Sequence, residues 1–347
     1  MKQISLSIFL IILFYSCKVD PKINAPLPSD NIAEIIPEGW PKPNYTFSTN
    51  TVSEAKFILG RALFYENKLS KNDSISCGSC HLLFVAFAHA GHKVSHGIRE
   101  QVGNRNAPGI FNMTWHTSFM HDGGINHLEL QPLAPIANPI EMDENIVNVI
   151  AKLQASEKYK TLFKNAFGSE EVSSQKMLLA MAQFQGLIYS YNSKFDSYKR
   201  GETAIQLNEA EARGYSLFQA KCNACHTEPL FSDFNIRSNG LAVDPFYKDS
   251  GRYRITNLAS DIYKFKTPSL RNIAKTGPYM HDGRFTTLKQ CLDHYTGGIT
   301  NMTNIDPLLA GGTLGLSEQD KNDIIAFLET LTDYKLLTDK RFADPNN

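Results

Sequence analysis

The sequence is short of charge imbalance, cysteine, tryptophan and strand-like alternation, and each shortage narrows what it can be. Thirty-five lysines and arginines face thirty-five aspartates and glutamates, so the formal net charge is zero. No overall field draws such a chain to nucleic acid or to an acidic membrane. Alternating apolar and polar residues are rare, which favours helices over sheets. There are two tryptophans and six cysteines in 347 residues, so a clustering of cysteines carries information. The apolar run from Ile4 to Tyr15 is too short to span a bilayer stably.

That run has a different reading. It follows Met1-Lys2 and ends at Ser16-Cys17, which suits the apolar core of a signal peptide. A small residue before Cys resembles a bacterial lipoprotein cleavage site, with Cys17 as the lipidated first residue of an exported protein. Residues 1–17 are therefore expected to be removed or anchored. Residues 18–50, rich in Pro, Asn and Lys at their start, are expected to be a tether. The rest is long enough for two domains, and its 42% hydrophobic and 20% charged content is that of a soluble globular protein.

Four of the cysteines lie in "CGSCH" (Cys77, Cys80, His81) and "CNACH" (Cys222, Cys225, His226). In the cytosol a Cys-x-x-Cys pair could be a redox dithiol. In an exported chain, Cys-x-x-Cys-His reads as c-type haem attachment, with two thioether links and the histidine as proximal iron ligand. One helical turn brings these three side chains toward one porphyrin. A four-cysteine zinc site would leave both histidines without a role. Cys291, in a helical pattern with Leu288, Leu292 and Tyr295, reads as a small core residue.

The chain also repeats itself. "APGIFN" (107–112) precedes "FMHDGG" (119–124), and "TPSLRN" (267–272) precedes "YMHDGR" (279–284). Pro108 to His121 is 13 residues, as is Pro268 to His281. Around these motifs the periodicity is helical. Ser53 caps a helix carrying Phe57, Leu59, Ala62 and Leu63; 144–167 and 172–194 read as two long helices; others lead into Cys222 and run through 316–331. The expected fold is all-α: two cytochrome c-like haem domains in tandem, 51–200 and 201–340, with long loops.

Between Ser53 and Thr332 the sequence resembles the bacterial di-haem cytochrome c peroxidases and their relative MauG. The resemblance rests on "LGRALFYENKLSKNDSISCGSCH", "GNRNAPGIFN", "NPIEM", "TPSLRNIAKTGPYMHDGRFTTL" and "DHYTGG". It implies that hydrogen peroxide reacts at the N-terminal haem and that electrons enter at the C-terminal haem from a small donor, a cytochrome c or a copper protein. Glu141 of "NPIEM" would carry the proton, and Gln131, ten residues upstream, would orient the peroxide. His96 of "SHG" would be the ligand that blocks the peroxidatic iron at rest. Its spacing to Asn106 is two residues longer than the family pattern, and His89 and His92 compete for that role.

Three further positions follow from the resemblance. Tyr295, fourteen residues after His281, stands where the distal ligand of the second haem is expected, and Met302 competes with it. Met would suit a peroxidase; Tyr is the MauG ligand. His121 stands where the family has a tryptophan before Asp-Gly, so a bridging tryptophan radical is excluded there. Asn106, with the carbonyls of Thr276 and Pro278, would hold calcium between the domains. Relatives of this kind dimerise, and a homodimer is part of the expectation. The alternatives are a MauG-like enzyme that oxidises a partner protein, and an electron-transfer cytochrome or haem sensor with no need for Glu141.

Overall fold

The structure, a computed structural model, describes residues 32–346. The apolar leader and Cys17 lie outside the described residues. The all-α expectation holds: the regular elements are helices, apart from one two-stranded ribbon.

The first half opens with helix α1 (Glu54–Phe64), whose cap Ser53 accepts a hydrogen bond from the Lys56 amide. A one-turn helix, α2 (Cys77–Cys80), carries the first thiol pair, and α3 (Leu133–Ala137) leads to the "NPIEM" loop. The stretch 144–167, expected as one helix, is two: α4 (Ile146–Gln154) and α5 (Glu157–Phe167). The backbone at Ser156 is extended there (φ −100, ψ 120) and restarts the helix. The stretch 172–194 is likewise broken into α6 (Ser174–Gly186) and α7 (Lys194–Lys199). Between them the chain bonds elsewhere: the Asn112 amide donates to Ile188 O (2.8 Å), and the Ser190 amide donates to Asn112 Oδ1 (2.9 Å). A Ser193–Asp196 capping box then starts α7.

In the second half, α8 (Glu209–Lys221) runs into the second thiol pair. Strands β1 (Ile236–Arg237) and β2 (Phe265–Lys266) pair antiparallel and enclose a short helix, α9 (Tyr253–Thr256). Helix α10 (Leu288–Asp293), α11 (Glu318–Glu329) and α12 (Tyr334–Leu337) complete the order. Each half is built on one crossed pair of helices, α1 on α6 and α8 on α11. Each crossing sits at a glycine. A Cβ on Gly60 would lie 2.0 Å from Ala180 O, and one on Gly214 would lie 1.9 Å from Asp323 O. Only a residue without a side chain lets these backbones approach so closely.

Two boundaries differ from expectation. The second part of the 18–50 segment is no tether. Tyr45 and Phe47 are buried in the first core, Trp40 packs edge-on against Trp115 (5.1 Å between rings), and Trp115 Nε1 donates to Pro41 O (2.8 Å). Aromatic residues in a Pro- and Asn-rich stretch were the overlooked signal. Nor does α11 close the chain. Leu336, Leu337 and Phe342 return to the first core, where Tyr65 donates to Phe342 O (2.8 Å).

The halves meet across a pseudo-two-fold. Asn106 and Lys266 occupy equivalent positions of the repeat, as do His121 and His281. The Asn106 amide donates to His281 O (2.8 Å), and the Lys266 amide donates to His121 O (2.7 Å). Phe119 to Ile125 and Tyr279 to Phe285 repeat the same 2.7 Å turn bond. The duplication seen in the sequence is thus a self-complementary interface within one chain. Arg105 reinforces it with a two-pronged pair to Asp249 (2.6 and 2.9 Å) and a bond to Asp122 (2.6 Å).

Candidate active site

Both Cys-x-x-Cys-His segments take the same local form. The His81 amide donates to Cys77 O, and the His226 amide to Cys222 O, each at 2.9 Å. This single turn brings the thiols and imidazole together. All four thiols are free and half-buried. His81 Nδ1 bonds Phe87 O at 2.6 Å, and His226 Nδ1 bonds Pro268 O at 3.1 Å and Phe231 O at 3.3 Å. Burial lowers the pKa of both imidazoles; for His81 the carbonyls of Phe87 and Pro108 oppose this. The carbonyl of the repeat's proline thus acts on the motif's imidazole in both halves, Pro268 O by a direct bond to His226 Nδ1. With Nδ1 held by a carbonyl, Nε2 is left as the ligating nitrogen. Two free thiols and a histidine with a bare Nε2 are the donor set a covalent c-type haem requires, so the residues fit that group twice.

Around the first thiol pair the "NPIEM" loop brings in Glu141. Burial raises its carboxyl above the ordinary range, against opposing effects from Asn138 and Arg105. Cys77 is pushed up to about 12, first by burial and then by Cys80, with a further contribution from Glu141; burial also raises Cys80, and Glu141 adds to it. The Glu141 backbone is clipped to the histidine loop, because the Ile98 amide donates to Glu141 O (2.8 Å). Gly97 makes this possible: a Cβ there would sit 1.9 Å from Ile140 O.

Gln131 stands in the same half, and its Nε2 approaches Met120 Sδ (4.0 Å). Its Oε1 accepts from Nε2 of Gln185 (3.1 Å), a buried residue of α6 that no sequence motif singles out. His96 is one of three converging imidazoles. His89 and His92 stack at 4.2 Å, and His96 lies edge-on to them at 6.0 and 4.9 Å. His89 is the most enclosed, with no partner for Nδ1, and its pKa falls to about 4 through burial first and then its histidine neighbours. His96 presents its carbonyl to the Cys80 thiol (3.6 Å). Among the described residues, no group of three or more His, Cys, Asp or Glu side chains is arranged to hold a metal ion.

Around the second thiol pair, α10 widens into a π-helical turn, His294–Gly298, a distortion often found at functional sites. It carries Tyr295, whose hydroxyl is pushed up to about 12 by burial; Asn239 opposes this, while Cys291, Cys222 and Cys225 add to it. Met302 is 50% exposed at the surface. The sulfur beside Tyr295 is instead that of Met280, which shares Asn239 with it. Cys291 is half-buried rather than in the core.

His121 occupies the junction of the halves. Its Nε2 bonds Asn106 O (2.9 Å), and burial, followed by Arg105, brings its pKa to about 4, so it is neutral there. Asn106 is buried and donates through Nδ2 to the carbonyls of His92 (3.1 Å) and Lys93 (3.2 Å), leaving Oδ1 as its free-facing oxygen type. Thr276 Oγ1 is turned to Ile273 O (3.5 Å), which leaves main-chain carbonyls as the oxygens Thr276 and Pro278 would offer a cation.

Fold and donor sets together define a tandem pair of c-type haem domains, with the half-buried Glu141 in the same half as the first thiol pair. The family model of di-haem cytochrome c peroxidases matches residues 54–204, and that of cytochrome c matches 211–332. The methylamine utilization protein MauG of Methylorubrum extorquens is 35% identical over 306 residues, covering 85% of this chain and 82% of that one. Cytochrome c551 peroxidase of Nitrosomonas europaea is 34% identical over 286 residues, covering 80% and 81%. A crystal structure of a MauG-like protein associated with microbial copper homeostasis superposes with TM-score 0.80 at 36% identity, covering 90% of this chain and 99% of that one. The chain belongs to the di-haem cytochrome c peroxidase and MauG family.

Proposed function

We propose that this protein is a peroxidase that reduces hydrogen peroxide to water with electrons from a small redox protein. The observation that carries this reading is the position of Glu141: its carbonyl is bonded by the Ile98 amide (2.8 Å), and the same His96–Ile98 segment meets the Cys80 thiol through His96 O (3.6 Å). Cys77, Cys80 and His81 would hold one haem, and Cys222, Cys225 and His226 the other. The haems supply the electrons and the iron that peroxide meets. Glu141 moves a proton from one peroxide oxygen to the other, and Gln131, fixed by Gln185, offers its amide to the peroxide. Cleavage of the O–O bond consumes two electrons and two protons and releases two waters. The test is steady-state peroxide turnover by the di-haem protein with a reduced small cytochrome c or copper protein as donor. Reduction of one haem before peroxide is added should accelerate the first turnover if His96 is the resting ligand of the peroxidatic iron.

Tyr295 supports a second reading, in which the same haems oxidise a bound protein as in MauG. Tyr295 stands on the π-helical turn with Asn239 at its hydroxyl, while Met302 is exposed. In this reading Tyr295 would be the distal ligand of the C-terminal haem. A very low potential for that haem favours the MauG-like direction; a high one favours electron entry.

We also propose a calcium ion at Asn106 Oδ1 and the carbonyls of Thr276 and Pro278. Asn106 belongs to the bond that joins the halves, so the ion would brace that junction. Chelation with EGTA should reduce peroxide turnover severalfold, and Ca²⁺ but not Mg²⁺ should restore it, because Mg²⁺ demands a tighter octahedron. Unchanged turnover after verified removal of calcium would dismiss the site. Export, with lipidation at Cys17, completes the proposal; mass spectrometry of the mature N-terminus tests it. A homodimer is checked by light scattering.

A further inference from the structure

Asn239 is a polar side chain beside Tyr295 that none of the roles above uses. It is held from every side. Its carbonyl accepts from His294 Nε2 (3.0 Å), a buried residue of the π-helical turn. Its side-chain Oδ1 accepts from the Leu241 amide (3.2 Å). Its neighbours are pinned as well: the Asp306 amide donates to Ser238 O (3.0 Å), and the Thr300 and Asn301 amides donate to Gly240 O (3.2 and 3.0 Å). With Oδ1 committed, the amide orientation is fixed. Nδ2 is the group that faces the pocket, 3.5 Å from the Tyr295 hydroxyl oxygen and 3.6 Å from Met280 Sδ. The π-helical turn has a part in this, since it places His294 on the Asn239 carbonyl and Tyr295 at its amide from adjacent positions.

We propose that Asn239 is a positioning residue that sets the electron-donating strength of Tyr295 toward the C-terminal haem. The inference rests on the reading of Tyr295 as ligand. A hydrogen bond donated to a ligating phenolate withdraws charge from its oxygen. The phenolate then stabilises oxidised iron less, and the potential rises. Charge-assisted hydrogen bonds are stronger than neutral ones, but the long geometry here argues for the lower end of their range. The same amide also approaches Met280 Sδ.

The experiment uses the full di-haem protein with Asn239→Leu, Tyr295→Phe and the double variant, all checked for two haems per chain. Leu has no donor but leaves the backbone carbonyl that His294 uses. In the wild type, the phenolate-to-iron charge-transfer band should be present. Asn239→Leu should move that band to longer wavelength. It should also favour the oxidised form of the C-terminal haem roughly tenfold, a fall of about 59 mV for one electron. In the Tyr295→Phe background the same substitution should leave the potential unchanged. An equal shift in both backgrounds would mean that Asn239 acts on the pocket and not through Tyr295, which overturns the inference. No shift in either also overturns it. Absence of the charge-transfer band from the wild type removes the ligand reading itself, a failure distinguishable from the other two.

Discussion

Replacing Glu141 with Gln should lower kcat/KM for hydrogen peroxide by roughly 10²–10⁴, the range general acid–base catalysis contributes. The amide keeps the size and most of the hydrogen bonding of the carboxyl but cannot accept and return a proton. Both haems should remain attached, because Cys77, Cys80 and His81 are held by their own turn and by Phe87 O, not by Glu141. Loss of haem in the variant would make the comparison one of cofactor content, so the rate is expressed per haem pair. Turnover equal to wild type would remove Glu141 from the mechanism.

The same group sets a pH dependence. Burial raises the Glu141 carboxyl, and Asn138 and Arg105 reduce the rise without cancelling it. A proton acceptor must be ionised to begin the reaction, so activity falls as pH drops through its pKa. The acidic limb of kcat/KM should lie above the ordinary carboxylate value of about 4.3. Glu141→Gln should abolish that limb. Arg105→Met should move it upward, since a positive charge that favours the carboxylate is lost. Arg105 is also paired to Asp249 and Asp122, so the shift is read on protein shown to be folded.

Much of this site was legible because its chemistry is sequence-local. Two thiols and an imidazole must share one turn, so their spacing announces them. Glu141 and Gln131 are proposed through a motif rather than through physics, since an isolated Glu in a Pro-rich loop carries no signal of its surroundings. Gln185 and Asn239 could not be found that way. Each acts through one distant partner, 54 and 56 residues along the chain, and helical periodicity is silent on such pairs. Met302 was misjudged for a related reason: proximity in sequence stood in for proximity in space, and the π-helical turn sends the following chain to the surface. The helix breaks at Ser156 and Ser193 were written in the sequence as caps, but a continuous apolar period masked them. The pseudo-two-fold was half legible. Equal spacings reveal the duplication, but not that the two copies clasp each other through Asn106 and Lys266.

Asp196→Ala should be the most destabilising single substitution outside the haem sites, by about 3–5 kcal/mol, the cost of leaving a buried charge without its partner. Arg271 of the "TPSLRN" repeat has a side chain only 1% exposed, and it meets Asp196 through two bonds of 2.9 and 2.8 Å. Its Nε donates to Pro229 O (2.9 Å), and the guanidinium lies over Trp40 (4.5 Å) and Phe231 (5.5 Å). Asp196 also closes the capping box of α7 with Ser193. One carboxylate therefore joins the end of the first half, the loop behind His226 and the segment at Trp40. Asp196→Asn should recover part of the loss, since an amide can cap the helix but cannot neutralise Arg271. Glu170→Ala, at the exposed Lys164 pair, should leave the denaturation midpoint unchanged. Acid gives an independent check. Burial alone would raise the Asp196 carboxyl, but Arg271 and Ser193 outweigh it and hold the pKa below its ordinary value. Its stabilisation is thus present above the unfolded-state value of about 3.9 and lost as pH falls through the lower folded value. Urea denaturation of the two-haem protein at neutral pH and again in acid should show the gap between wild type and Asp196→Ala narrowing at low pH. A gap that stays constant would assign the loss to the helix cap rather than to the charge on Arg271.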